Sequence, residues 1–197
     1  MTMTLPDPPK QETASQTAGP YVHIGLLPRM AGLALHPVEL GRSLVGPETK
    51  DARITVTGCI HDGAGDRVRD AIIEVWQADG TGSLAGNDGF TGWGRVATDF
   101  DTGVFSFETI KPGCVLDAGG KVMAPHLCFW IVARGINMGL STRMYFPQDS
   151  QAHETDPVLS GYVPRERRDT LIARREGDTY HFDIHLQGAR ETVFFDV

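Results

Sequence analysis

The sequence predicts an all-β fold, an antiparallel sandwich of about eight short strands. Short runs alternate β-branched or aromatic residues with polar ones, as in Ile54, Val56, Gly58 and Ile60. Turn-forming residues punctuate these runs, as at His61-Asp62-Gly63-Ala64-Gly65-Asp66 and Asp101-Thr102-Gly103. Leu127–Val132 is an unbroken apolar run of strand length, the pattern of a strand covered on both faces.

Taken in order, residues 1–16 read as an extended arm, because Pro6, Pro8 and Pro9 block regular structure in a polar segment. Residues 17–197 are the folded domain. From Tyr21 to Lys50 the apolar spacing is mixed and Pro28, Pro37 and Pro47 interrupt it, so a loop with one short helix is expected. The run from Arg53 to Ile60 is the first strand, and Ala71–Trp76 follows the turn at 61–66. Six glycines lie between Asp79 and Arg95, in a loop too long for a simple hairpin. Val104–Phe107, Leu127–Val132, Thr142–Phe146, Leu171–Arg174, Tyr180–Leu186 and Thr192–Phe195 complete the expected strands. The stretch from Pro164 to Arg168 reads as a solvated charged face.

At 197 residues the chain is long enough for one sizeable core, and 41% hydrophobic with 22% charged residues is an ordinary globular composition. A net charge of -7 argues against a general phosphate-binding surface, and so against nucleic acid as a partner. The amino terminus has neither the basic start nor the apolar run of a signal peptide. No segment approaches the roughly 18 apolar residues of a membrane helix. Cys59, Cys114 and Cys128 share no CxxC spacing, which disfavours a disulfide framework or a zinc knuckle and fits a reducing cytoplasm.

Three groups of residues could carry chemistry. His126 and Cys128 project from one face of a strand and could share a transition metal, although two ligands are too few and a free Cys more often packs as a small hydrophobe. His181, Asp183 and His185 share a strand face opposite Phe182, Ile184 and Leu186. Two histidines and a carboxylate suit a non-haem iron site, but clean alternation is what any half-exposed strand shows. Arg134 ends the apolar run and could pair with a carboxylate, or stand as an ordinary surface arginine. The sequence has no Gly-x-Ser-x-Gly elbow, no HExxH and no phosphate-cradling loop.

Val75-Trp76-Gln77-Ala78-Asp79, set among Val56, Gly58, Ile60, Gly65, Val68, Ile73 and Gly82, resembles the signature of the intradiol ring-cleavage dioxygenases. The resemblance runs from about Thr13 to Val197 through further blocks. These are Ser15–Gly25, Thr109-Ile-Lys-Pro-Gly113, Ala124-Pro-His126, Ala133-Arg-Gly-Ile-Asn137, Asp156-Pro-Val-Leu159 and Gln187–Asp196. Those blocks are similar to the α chains of the two-chain branch of the family.

The resemblance implies a β-sandwich and a partner β chain that holds iron(III) with two tyrosines and two histidines. Together they would open protocatechuate with dioxygen in aromatic catabolism, within the β-ketoadipate pathway. In this chain the matching ligand positions are Leu84, Val115, His126 and Cys128, and Met123 stands where the family's histidine motif has an arginine. Only His126 of the four ligands is retained, so this chain is expected to bind no metal and to carry no catalytic residue. Thr17, Gly19, Pro20 and Tyr21, with Arg134 as a carboxylate anchor, are implied to complete the wall of the partner's substrate pocket, in an assembly of αβ pairs. The competing expectation is an independent binding protein for aromatic acids that reuses the site around Leu84, Val115 and His126.

Overall fold

The computed structural model describes residues 16–86 and 89–196, so the expected arm lies outside the described residues except for Gln16. Helix α1 (Pro20–Leu26) is the short helix expected in the first segment, with proline at its opening turn. The chain then runs through β1 (Arg53–His61), β2 (Ile72–Trp76), β3 (Trp93–Ala97) and β4 (Val104–Ile110). A two-residue pair, β5 (Val115–Leu116) and β6 (Val122–Met123), precedes β7 (His126–Val132) and β8 (Leu140–Tyr145). Helices α2 (Ser150–His153) and α3 (Pro157–Gly161) and a 3-10 helix at Arg165–Leu171 separate these from β9 (Arg174–Glu176), β10 (Thr179–His181) and β11 (Ile184–His185).

Two main sheets form the sandwich. One has the order β3-β2-β7-β8, antiparallel throughout. In the other, β1 pairs antiparallel with β4 on one side and parallel with β10 and β11 on the other. The inward side chains of both sheets make a single core, with Val56, Ile60, Phe105, Leu127, Phe129 and Ile131 among its members. Phe129 sits at its centre, with ring centroids 5.4, 6.1 and 6.3 Å from Phe182, Phe107 and Phe105. A smaller core gathers Ala124, Tyr145, Leu159, Val163 and Leu171 around α3. Among the described residues no helix is long and apolar enough to cross a membrane.

Several local expectations are corrected. The 127–132 run is not covered on both faces: Leu127, Phe129 and Ile131 are buried while Trp130 is 36% exposed. Leu171 ends a 3-10 helix rather than starting a strand, and the strand there begins at Arg174. Residues 180–186 are two short strands, because β1 is met first at Thr55–Thr57 and again at Ile60–His61, with the Phe182 N–H donating to the Thr57 carbonyl between them. Residues 192–195 form no strand; they reach the sheets through a bridge from Phe195 to Ser141, the Thr192 N–H donating to the His185 carbonyl and the Thr142 hydroxyl donating to the Val193 carbonyl. Within the charged stretch, Arg167 donates to the Glu191 carbonyl and Arg168 to that of Val163, so two of its arginines tie the chain down.

Gly58 marks the closest approach inside the sheet. A Cβ there would overlap the Phe182 carbonyl oxygen and press on the Phe105 ring. Backbone cannot yield as a flexible side chain can, so Gly58→Ala should lower the unfolding free energy by about 1–3 kcal/mol, measured by urea denaturation. An unchanged midpoint would show that β1 and the 182–184 segment separate more freely than this packing implies.

Candidate functional site

The expected pocket-wall residues gather at one end of the sandwich. Asp70 lies two residues before β2 and Arg134 two residues after β7, and the antiparallel register Ile72↔Val132 carries on to set them opposite each other. Arg134 Nε lies 3.1 Å from Asp70 Oδ2, and the Arg134 side chain remains 76% exposed. The amino-terminal segment is pinned beside it, because Gly135 N–H donates to Thr17 Oγ1 at 2.7 Å. Gly135 has φ +89°, which a side chain at that position would resist.

These segments enclose a cleft of about 980 Å³ whose lining includes Gly19, Val22, His23, Phe100 and Arg134. Burial lowers the pKa of His23 there, with Asp70 acting in the opposite sense. Arg67, Arg69 and Arg134 face the cleft against Asp62 and Asp70, an excess of positive charge suited to a carboxylate ligand. Pro20 opens α1. Tyr21 is 84% exposed and stands outside the cleft lining.

The other group, Leu84, Val115, His126 and Cys128, lies at the opposite end of β7, roughly 25 Å from Arg134 at about 3.3 Å per residue. Two loops meet there. Gly113 N–H donates to the Asp79 carbonyl at 2.8 Å, and a Cβ on Gly82 would overlap the Cys114 carbonyl oxygen. Asp79 shapes its own loop by accepting from the Thr81 hydroxyl and from Thr81 and Ser83 N–H groups, which lowers its pKa. Leu84 is 70% exposed on that loop. Val115 pairs with Met123 across β5 and β6.

Arg143, which the sequence did not single out, occupies the middle of this end. It is the cross-strand partner of Cys128, and its Nη1 lies 3.5 Å from both Met123 Sδ and the Tyr145 hydroxyl. His126 is buried and its Nδ1 donates to the Ala124 carbonyl at 2.8 Å. Burial, reinforced by Arg143, lowers its pKa to about 4. Burial raises the Cys128 thiol, with Arg143 opposing. Of the four positions only His126 and Cys128 carry a donor atom, and a guanidinium stands beside both. A cation next to one imidazole and a thiol does not fit a hard trivalent iron, which prefers anionic oxygen ligands.

His181, Asp183 and His185 share the outer face of their strands, with Phe182 and Ile184 buried beneath them. His181 lies 3.6 Å from Glu176, Cys59 N–H donates to Asp183, and His185 stacks on His61.

A family model described as Dioxygenase matches residues 39–188. The protocatechuate 3,4-dioxygenase alpha chain of Pseudomonas putida is 46% identical over 94% of this chain and 96% of its own length. The chain belongs to the intradiol dioxygenase family. The protocatechuate 3,4-dioxygenase beta chain of Burkholderia cepacia is 33% identical over 94% of this chain and 83% of its own length. Among solved structures, the dioxygenase domain of a carbohydrate-binding fusion protein from Streptomyces sp. SirexAA-E is 26% identical with a TM-score of 0.54, covering 80% of this chain and 95% of that one. Intradiol dioxygenases depend on non-haem iron.

Arg143 and Asp70 were missed because each acts through a neighbour on another strand. Local spacing carries no such signal.

The buried His126 makes stability depend on pH. The unfolded chain takes up a proton at about 6.5, whereas the folded chain refuses it until about 4. Stability is therefore complete above pH 6.5 and is lost as pH falls towards 4, by about 3 kcal/mol for this one group. His23, His153 and His185 act in the same direction. Urea denaturation at about pH 7.5 and about pH 4.5 should show this loss, and His126→Gln should shrink it. Equal loss in His126→Gln would place the titration elsewhere.

Proposed function

We propose that this chain is the α subunit of a protocatechuate 3,4-dioxygenase. Its partner β chain holds the iron(III), and this chain completes the wall of that chain's substrate pocket. The reaction is cleavage of protocatechuate by dioxygen between its two hydroxyls, giving 3-carboxy-cis,cis-muconate. Thr17, Gly19, Pro20, Tyr21 and Arg134 are the residues offered to the pocket, and none of them does covalent chemistry.

One observation carries the reading: the amino-terminal segment and Arg134 are fastened together through Thr17 and Gly135 beside a cationic cleft, far from the degenerate ligand positions. A chain whose own iron site has lost its donors, yet which keeps an organised carboxylate-sized anchor elsewhere, is arranged to serve a site outside itself. Surface chemistry supports a partner as well. Between residues 21 and 40, Tyr21, Leu35, Val38 and Leu40 are 84, 60, 75 and 78% exposed, and such a concentration of apolar side chains marks an interaction surface. The β-chain relative supplies a precedent for the pairing. The free cysteines fit a cytoplasmic location.

A second reading, an independent binding protein for aromatic acids, draws on Arg143, whose guanidinium beside His126 would suit an anion. It leaves the exposed apolar surface at residues 21–40 without a purpose.

Arg134 decides between them. A charge-assisted contact with the substrate carboxylate contributes about 1.5–3 kcal/mol, so Arg134→Ala in the iron-loaded αβ complex should raise KM for protocatechuate about ten- to a hundredfold with little change in kcat. Turnover of plain catechol, which lacks the carboxylate, should be almost unaffected. If the variant turns over protocatechuate and catechol in the wild-type ratio, Arg134 is only a surface residue paired with Asp70. If the chain alone binds protocatechuate as a monomer, the second reading replaces the first.

A further inference from the structure

The parallel pairing of β1 with the carboxy-terminal strands has a consequence independent of the dioxygenase reading. Ile60 pairs with Ile184 and His61 with His185, and both isoleucines are fully buried in the core. The residues on either side therefore point outward together. Cys59 comes beside Asp183, and His61 beside His185, on one face of the sheet.

The side chains converge closely. Ligand atoms of Cys59, His61 and Asp183 all lie within 4.8 Å of one another. The His61 and His185 rings stack with centroids 4.8 Å apart and planes 15° from parallel. Zinc takes sulfur at about 2.3 Å and imidazole nitrogen at about 2.0 Å in a tetrahedron, which needs ligand atoms roughly 3.5 Å apart. Small side-chain rotations close that difference.

Two of the groups are already oriented by the backbone. His61 Nδ1 lies 3.2 Å from the Gly65 carbonyl, which can only accept, so Nδ1 carries the proton and Nε2 keeps its lone pair. A carbonyl holding the far nitrogen is how metal-binding imidazoles are usually aimed. Cys59 N–H donates to Asp183 Oδ1 at 2.9 Å, fixing the carboxylate above the thiol. Asp183 is exposed and also lines a shallow concavity of about 310 Å³, so its carboxylate is open to solvent.

We propose that Cys59, His61 and Asp183 form a site for a divalent zinc-like ion, with water in the fourth position and His185 stacked on the His61 ring. Thiolate, imidazole and carboxylate together suit a borderline-soft tetrahedral cation. Bound there, the ion joins β1 to Asp183 at the entry to the short strand β11, which has only two ladder residues of its own. Burial, together with Asp183, raises the Cys59 thiol while Arg67 opposes them, and burial, then Arg190 and His61, lower His185 with Asp183 opposing, so the ion has to displace the thiol proton. Arg190 also repels the cation, so binding of moderate affinity is expected.

Cobalt(II) titration of the full chain tests this, because cobalt replaces zinc and reports its ligands by colour. In a background with Cys114→Ser and Cys128→Ser, about one equivalent of cobalt should bind with a thiolate charge-transfer band and tetrahedral visible bands, and zinc should displace it. Cys59→Ser should abolish the charge-transfer band. His61→Gln and Asp183→Asn should each weaken zinc binding at least about tenfold while far-ultraviolet circular dichroism stays native. These two partly exposed positions keep the test decisive if Cys59→Ser does not fold. A cobalt spectrum without thiolate character, a band that survives Cys59→Ser, or unchanged zinc affinity in His61→Gln and Asp183→Asn would each overturn the proposal.

Discussion

The carboxylate of Asp156, fully buried, is the contact on which the end of the sandwich around His126 depends. Its Oδ1 accepts from the N–H groups of Val158 and Leu159 at 2.9 and 2.8 Å, and so caps α3, while Oδ2 accepts from Ala124 N–H at 2.7 Å. The Tyr145 hydroxyl adds a longer contact of 3.4 Å. A buried charge is tolerable only when donors replace its water, and here backbone supplies most of them. One side chain thus joins the helix, the entry to β7 and the edge strand β8. Because Ala124 is held from one side by Asp156, its carbonyl is fixed for His126 on the other, and the imidazole keeps its orientation through protein contacts alone. Burial, and next Asp156 itself, raises the pKa of Tyr145, which keeps that hydroxyl protonated as a donor.

The two ends of β7 have accordingly separated in role. At its start, a hydrogen-bonded network with a guanidinium in its middle stands where iron-binding relatives are expected to place their ligands. At its end, the register that pairs Asp70 with Arg134 and the bond from Gly135 to Thr17 hold a charged cleft in shape. The rigid hydrophobic strand between the two ends holds them apart.

Much of this was legible in the sequence where the signal was local. The alternation around Ile54–Ile60 and the turn ending in Gly103, whose φ is +71°, gave β1 and β4, because period and turn chemistry are properties of neighbouring residues. The 127–132 run misled because Trp130 is apolar yet faces outward, so composition hid the period. The break at Phe182 and the loss of a strand at 192–195 are decided by what those segments meet across the sheet. The outer-face cluster was half visible: His181, Asp183 and His185 showed their alternation, whereas Cys59 and His61 joined them only through a parallel pairing about 124 residues away in sequence. The candidate residues followed the same rule: motif alone singled out Thr17, Gly19 and Arg134, whereas Asp70 and Arg143 came into view only in three dimensions.

The account rests on this chain being an organised but iron-free member of an iron-dependent family. Its most direct test is metal analysis and visible absorption of the purified chain produced alone and together with a tyrosine- and histidine-complete β chain. The account predicts a colourless, iron-free chain when alone, and iron with tyrosinate-to-iron charge-transfer colour only in the αβ complex. Stoichiometric iron with that colour in the chain alone would contradict it.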